Sequence, residues 1–150
     1  MNVPIRDPKW AQRELLSHSP VFSGLAPARL DELVGASRLR QLEARESLFR
    51  AGQPIREAHF LASGTLTRST VLAGQRNKII ELVQTRQFVS LGELFGASRY
   101  ACSAETVTPC IVVALEIGKL RAAIHQDLDL SWRIIEALAQ RQCAIEFDVT

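Results

Sequence analysis

Between Leu39 and Leu115 the apolar residues come in runs too short for helices, and turn residues separate the runs. His59-Phe60-Leu61 is one such run. Thr65-Leu66-Thr67-Arg68-Ser69-Thr70-Val71 is rich in β-branched residues, and Lys78-Ile79-Ile80-Glu81-Leu82-Val83 reads as its partner across a hairpin loop at Ala73 to Asn77. Phe88-Val89 starts another strand, and residues 101–108 and 111–115 make two more. Ala51-Gly52-Gln53-Pro54 and Ser63-Gly64 are turn signals between them. Short strands at this spacing predict an all-β sandwich or barrel of about eight strands. No βαβ alternation is present, so a parallel sheet is disfavoured.

Both ends carry a different period. Trp10, Leu15 and Leu16 recur near helical spacing until Ser19-Pro20 interrupts them. A second helix begins near Pro27, tolerated in a first turn because its missing N–H would be unpaired there anyway, and can close at Gly35. After the strands, residues 117–124 suit a short helix. From Leu128 a longer one carries a stripe of Leu130, Ile134, Ile135, Leu138, Ala139 and Ile145, with Arg133, Glu136, Gln140 and Arg141 on the other side. The stripe either packs on the chain's own sheet or also meets a partner chain; we expect the second, with Ile134, Ile135, Leu138 and Ile145 as the dimer helix. The expected organisation is a helical segment at 1–37, a β-roll at 38–116 and C-terminal helices at 117–150.

Few features suggest catalysis. His18, His59 and His125 are scattered without ligand spacing, and no GxSxG, HExxH or Walker A sequence occurs. We expect neither an enzyme nor a metal site. The formal net charge is +2, and its longest basic-looking stretch, Arg38-Leu39-Arg40, is soon followed by Glu43, so a solvated surface is expected rather than a phosphate-tracking patch. Three widely spaced cysteines and an N-terminus without an apolar core point to the reducing cytoplasm. No aliphatic run approaches the roughly 20 residues of a membrane helix, so no membrane partner is expected.

Residues 88–104, Phe88-Val89-Ser90-Leu91-Gly92-Glu93-Leu94-Phe95-Gly96-Ala97-Ser98-Arg99-Tyr100-Ala101-Cys102-Ser103-Ala104, join a Gly-Glu pair to a small-residue strand entry through a one-turn helix. This segment either closes the roll or holds an anion on free N–H groups. In the surrounding order, the chain resembles the sensor domain of the Crp/Fnr superfamily. Leu48-Phe49-Arg50-Ala51-Gly52-Gln53 is similar to that family's strand ending in Gly-Glu. Phe60-Leu61-Ala62-Ser63-Gly64-Thr65-Leu66 is similar to its strand–Gly–strand hairpin, and Thr108 to Leu115 to the last strand before the helices.

The resemblance implies a mainly β fold with flanking helices, a double-stranded β-helix or jelly roll that holds a small effector, and a long C-terminal helix that forms a homodimer. It also implies a DNA-reading helix-turn-helix domain beyond that helix. The sequence stops at Thr150, so DNA would be met only through a separate domain. We expect a sensor domain cut from a longer regulator, with a stand-alone module as the alternative.

The departures from the family pattern bear on the ligand. Its cyclic-nucleotide binders hold the ribose with Gly-Glu and the phosphate with Arg-Ser or Arg-Thr. Aligned from Phe88, the first pair falls on Ser90-Leu91, and Gly92-Glu93 comes two residues late. Counted back from Cys110, the second pair falls on Tyr100-Ala101, with Arg99 one place off and so on the opposite face of a strand. A missing phosphate arginine removes a charge-assisted contact of about 1.5–3 kcal/mol. Tyr100 to Ala104 is more similar to the denitrification regulators, which respond to nitric oxide. The resemblance therefore implies an effector other than cyclic AMP, held around Leu91, Gly92, Glu93, Leu94, Arg99, Tyr100, Ala101, Cys102 and Ser103. The expected pocket, behind Leu91, Leu94, Tyr100 and Cys102, is apolar and of a kind that takes haem. The alternatives are a true cyclic-nucleotide receptor using Gly92, Glu93 and Arg99 in shifted register, and a ligand-free interaction module.

Overall fold

The computed structural model describes residues 9–71 and 77–148, with backbone alone at 71, 77 and 144–148. The hairpin loop expected at Ala73 to Asn77 falls almost wholly outside them, as does the side chain of Ile145. Two helices come first, α1 (Trp10–Ser17) and α2 (Pro27–Gly35), the second with its proline at the N-terminal turn. The strands follow: β1 (Ser37–Leu42), β2 (Ser47–Phe49), β3 (Glu57–Ser63), β4 (Leu66–Val71), β5 (Asn77–Val83) and β6 (Gln87–Val89). A one-turn helix α3 (Glu93–Gly96) precedes β7 (Ser103–Thr106) and β8 (Cys110–Glu116). Helices α4 (Ile117–Gln126) and α5 (Leu128–Asp148) end the chain.

The strands form two antiparallel four-stranded sheets, β1-β8-β3-β6 and β2-β7-β4-β5. This is the mainly β architecture expected, with eight strands and helices at both ends. Central strand β8 pairs with β1 on one side and β3 on the other, so its Val112, Val113, Ala114 and Leu115 are fully enclosed. That explains an unbroken aliphatic run where a half-exposed strand would alternate.

Phe60 faces Phe88 across the β3–β6 pair with ring centroids 5.3 Å apart, and Phe22 meets Phe88 edge-on at 5.6 Å. These rings tie the segment between α1 and α2 to the first sheet. The preceding residue, His59, has its side chain on the opposite face, between the sheets, 5.7 Å from the Phe49 ring.

One turn has no tolerance for a side chain. Gly64 sits at φ +102, and a Cβ there would lie 2.5 Å from the Pro109 carbonyl oxygen and 2.6 Å from Cys110 Sγ. The Ser63-Gly64 turn is thus fixed by both conformation and close approach.

The α4–α5 break has a capping cause. Asp127 leaves the helical region, its carboxylate accepts the Leu130 N–H at 3.1 Å, and the Ser131 hydroxyl donates to the Ile124 carbonyl at 2.6 Å. The 21 residues of α5 then run for about 30 Å. No helix of the described residues is long and apolar enough to cross a membrane.

Candidate functional site

The segment from β6 to β7 does not form one shared pocket from the residues singled out in it. Leu91, Leu94, Tyr100 and Cys102 are all buried, as core residues rather than as walls of a common void. Tyr100 stacks on Phe49 with centroids 3.7 Å apart and rings 8° from parallel, while its hydroxyl donates to the Glu57 carbonyl at 3.0 Å. Burial, with Glu93 and Glu57 adding to it, pushes its phenol well above the ordinary range, so it stays protonated. Of the four, Leu91 borders a cleft of about 690 Å³ and Tyr100 a smaller opening of about 330 Å³ on another side.

Arg99 is turned away from the interior. It is exposed, forms an isolated bridge with Pro54, and donates from its guanidinium to the Gly52 carbonyl at 2.9 Å. The strand expected from residue 101 begins only at Ser103, whose hydroxyl accepts the Ala51 N–H at 3.0 Å; Ala101 is exposed. Arg99, Tyr100 and Ser103 therefore fasten this stretch to the turn at 50–55, which competes with ladder pairing.

At the near end, Ser90 takes the left-handed conformation at φ 58 and is buried. Gly92 is exposed and precedes α3; a Cβ there would come 3.9 Å from the Leu138 side chain, so α5 packs directly over this point. Arg121 of α4 donates to the Leu94 carbonyl at 2.7 Å. Both C-terminal helices thus touch the α3 segment.

Glu93 faces into the roll and meets a partner that the sequence reading did not single out. Arg68 Nη2 lies 3.0 Å from Glu93 Oε1, and Arg68 Nη1 lies 3.3 Å from Glu81 Oε1. Arg141 of α5 pairs with the other oxygen of Glu81. The Cys102 thiol donates to Glu93 at 3.3 Å and lies 3.8 Å from the Ser90 hydroxyl. Burial first, then Glu93, raises the thiol's pKa, against the pull of Arg68. A chain of alternating charge therefore runs from α5 through β5 and β4 to α3. Arg68 follows Leu66 at the two-residue period of the inner face, and that alternation is the sequence signal for it.

The substantial cleft lies beside this chain, between α5, the edge strand β5, the start of the α3 segment and the Ser19–Val21 turn; its volume is about 690 Å³. Val21, Ile80, Leu82, Phe88 and Leu91 supply apolar walls, and Ala137 supplies the α5 side. Arg86, Gln140 and Arg141 add polar groups at intervals. A cleft of this size with few polar groups suits a small molecule.

Haem does not fit this cleft by its donors. No histidine, cysteine, methionine or tyrosine is among its described lining residues, so the usual axial ligands are missing there. His18 is exposed near Glu14, and His59 lies between the sheets. Among the described residues no group of three or more His, Cys, Asp or Glu side chains could hold a metal ion.

The α5 stripe divides between two faces. Ile134 is buried in the chain's own core and Leu138 packs partly against it. Ile135 is 52 % exposed and Trp132 61 % exposed, and with Leu128 and Ala139 they form an outward apolar row at helical spacing. Of the residues expected at a dimer interface, Ile135 is open, Ile134 is not, and the side chain of Ile145 lies outside the described residues.

Comparison with known proteins places the architecture. The model of the cyclic nucleotide-binding domain family matches residues 39–127. No curated protein matches the sequence significantly. Among solved structures, the sensor domain of the transcriptional regulator DNR from Pseudomonas aeruginosa superposes with a TM-score of 0.79 at 21 % identity, covering 94 % of this chain and 95 % of that one. A longer DNR structure from Pseudomonas aeruginosa gives 0.78 at 21 % identity over 99 % of this chain, which spans 64 % of that one. The Catabolite Activator Protein of Thermus thermophilus gives 0.71 at 21 % identity, covering 87 % of this chain and 62 % of that one.

Proposed function

The chain belongs to the cyclic nucleotide-binding domain family, with the fold of Crp/Fnr-type regulators, and on that premise we propose that it is the effector-sensing, dimerising domain of such a regulator, with an effector other than cyclic AMP. The observation that carries this reading is the cleft shared by the α3 segment, β5 and α5. A small molecule held there touches the roll on one side and the signalling helix on the other. An effector shifts an equilibrium only through different contacts in two states. Here the contact that can differ is the packing of α5, at Leu138, over Gly92. The Arg141–Glu81 pair is a second tie that a cleft ligand can loosen or strengthen.

A cyclic nucleotide has few free partners at the positions where its family holds it. Leu91 is buried, Glu93 is paired with Arg68, and Arg99 is committed to the Gly52 carbonyl. In this reading dimerisation uses the outward row of Leu128, Trp132, Ile135 and Ala139, the effector is a small and largely apolar molecule, and DNA is met through a separate domain. The regulator works in the cytoplasm.

The test uses the fluorescent probe 1-anilinonaphthalene-8-sulfonate. The wild-type chain should give saturable enhancement, and Ala137→Trp, which fills the α5 side of the cleft, should abolish most of it. Equal enhancement in both proteins would contradict the cleft as the effector site.

A further inference from the structure

A second opening lies between β1 of one sheet and β2 of the other, away from α5. It measures about 330 Å³. Arg38, Arg40 and Arg56 line it, together with Glu57, His59 and the stacked pair Phe49 and Tyr100. The sequence alternation that reads as a solvated edge, Arg38-Leu39-Arg40, places both arginines on one face of β1.

The charges lining the opening do not balance among the described residues. Arg38 is bidentate on Glu57, with both contacts at 2.8 Å, and this holds the Glu57 carboxyl below its ordinary range. Arg40 and Arg56 make no side-chain hydrogen bond or ion pair among the described residues. His59 is only 4 % exposed, and burial, with smaller repulsion from Arg40 and Arg38 against the pull of Glu57, lowers its pKa to about 4. It is neutral at pH 7. Its Nδ1 is buried without a hydrogen-bond partner, and its Nε2 is 4.0 Å from Glu57 Oε1. Three arginines against one glutamate leave the opening two positive charges in excess, with an aromatic wall and an unsatisfied imidazole.

We propose that this opening binds a small phosphate monoester, at a site separate from the cleft beside α5. A phosphate monoester carries about −1.5 to −2 charge at neutral pH, which matches the excess. Arg40 and Arg56 hold the phosphate oxygens in charge-assisted hydrogen bonds. The organic part lies against Phe49 and Tyr100. The groups that face His59 are Glu57 on its own strand and Arg38 and Arg40 on β1. A dianion added among them favours the imidazolium, so occupancy raises the His59 pKa.

The experiment is calorimetric titration of the chain with phenyl phosphate at physiological ionic strength, with His59 followed by NMR across pH. One saturable site is expected. Arg40→Gln and Arg56→Gln should each weaken it by about tenfold or more, and Lys119→Gln, on exposed α4 surface, should leave it unchanged. The His59 pKa should rise with saturation. Arg56 is exposed, so its variant should fold even if another does not. No saturation at millimolar phenyl phosphate would overturn the proposal, as would affinity unchanged in both arginine variants. Loss of binding in Ala137→Trp would place the ligand in the other cleft and overturn it equally.

Discussion

Arg68 and Glu93 form an ion pair inside the roll, Nη2 to Oε1 at 3.0 Å, with the two side chains only 14 % and 16 % exposed. Glu93 is thereby engaged by its own chain through Oε1, while its Oε2 is buried without a partner among the described residues. Arg68 also faces Glu81 directly across the β4–β5 pair. Removing the arginine leaves the largely buried Glu93 without its ion-pair partner and Glu81 with Arg141 alone. Arg68→Met should destabilise the fold by about 3 kcal/mol, since breaking one side of a buried pair is strongly unfavourable. Urea unfolding measures this, and a loss under about 1 kcal/mol would show the network to be only superficial.

The dimer account separates neighbours on α5. Ile135→Glu should give a folded monomer in sedimentation, because its side chain faces outward. Leu138→Glu should instead lower the melting temperature, because Leu138 packs against the core and over Gly92. A stable dimer in both Ile135→Glu and Trp132→Glu would place the interface elsewhere.

Gly64→Ala should be severe. The positive φ costs about 1–2 kcal/mol for any L side chain, and the new Cβ would collide with the Pro109 carbonyl oxygen at 2.5 Å. Gly35→Ala is the contrast, since nothing lies within 4 Å of its added Cβ. Thermal melts of the two variants should differ widely, the second lying close to wild type.

His59 sets an acid limb on stability. Its folded pKa, about 4, lies below the ordinary imidazole value of 6.5, so the unfolded chain binds the extra proton first. Stability is full above pH 6.5 and falls as the pH drops from there towards 4, by on the order of 3 kcal/mol in total. His59→Gln should flatten this limb in denaturant titrations between those pH values. An unchanged slope would show that His59 titrates normally.

Most of the strands were legible because they are short, rich in β-branched or aromatic residues, and separated by turn residues; β1 was not, because Arg38 to Gln41 carry mixed polar and apolar side chains. Gly64 is the clearest case, since the turn it marks admits no side chain at all. The ends were legible through helical spacing and through Pro27. The site was less so, because its partners are distant in sequence. Nothing local tells Glu93 that Arg68 waits on β4, or that Arg141 reaches Glu81 from α5. The α5 stripe divides between two faces for a geometric reason. Ile134 and Ile135 are adjacent in sequence but about 100° apart around a helix, so one faces the roll and the other solvent. The apolar pocket sought behind Leu94 and Tyr100 is filled by their own packing, and the open volume lies one wall further out, past Leu91.

In the proposed reading this domain senses something other than a cyclic nucleotide, because Glu93 Oε1 is held by Arg68 and Arg99 by the Gly52 carbonyl. Isothermal titration of the chain with cyclic AMP tests it most directly. No binding heat is expected at micromolar ligand, and cyclic GMP should behave the same way. A micromolar dissociation constant that Arg99→Ala abolishes would contradict it.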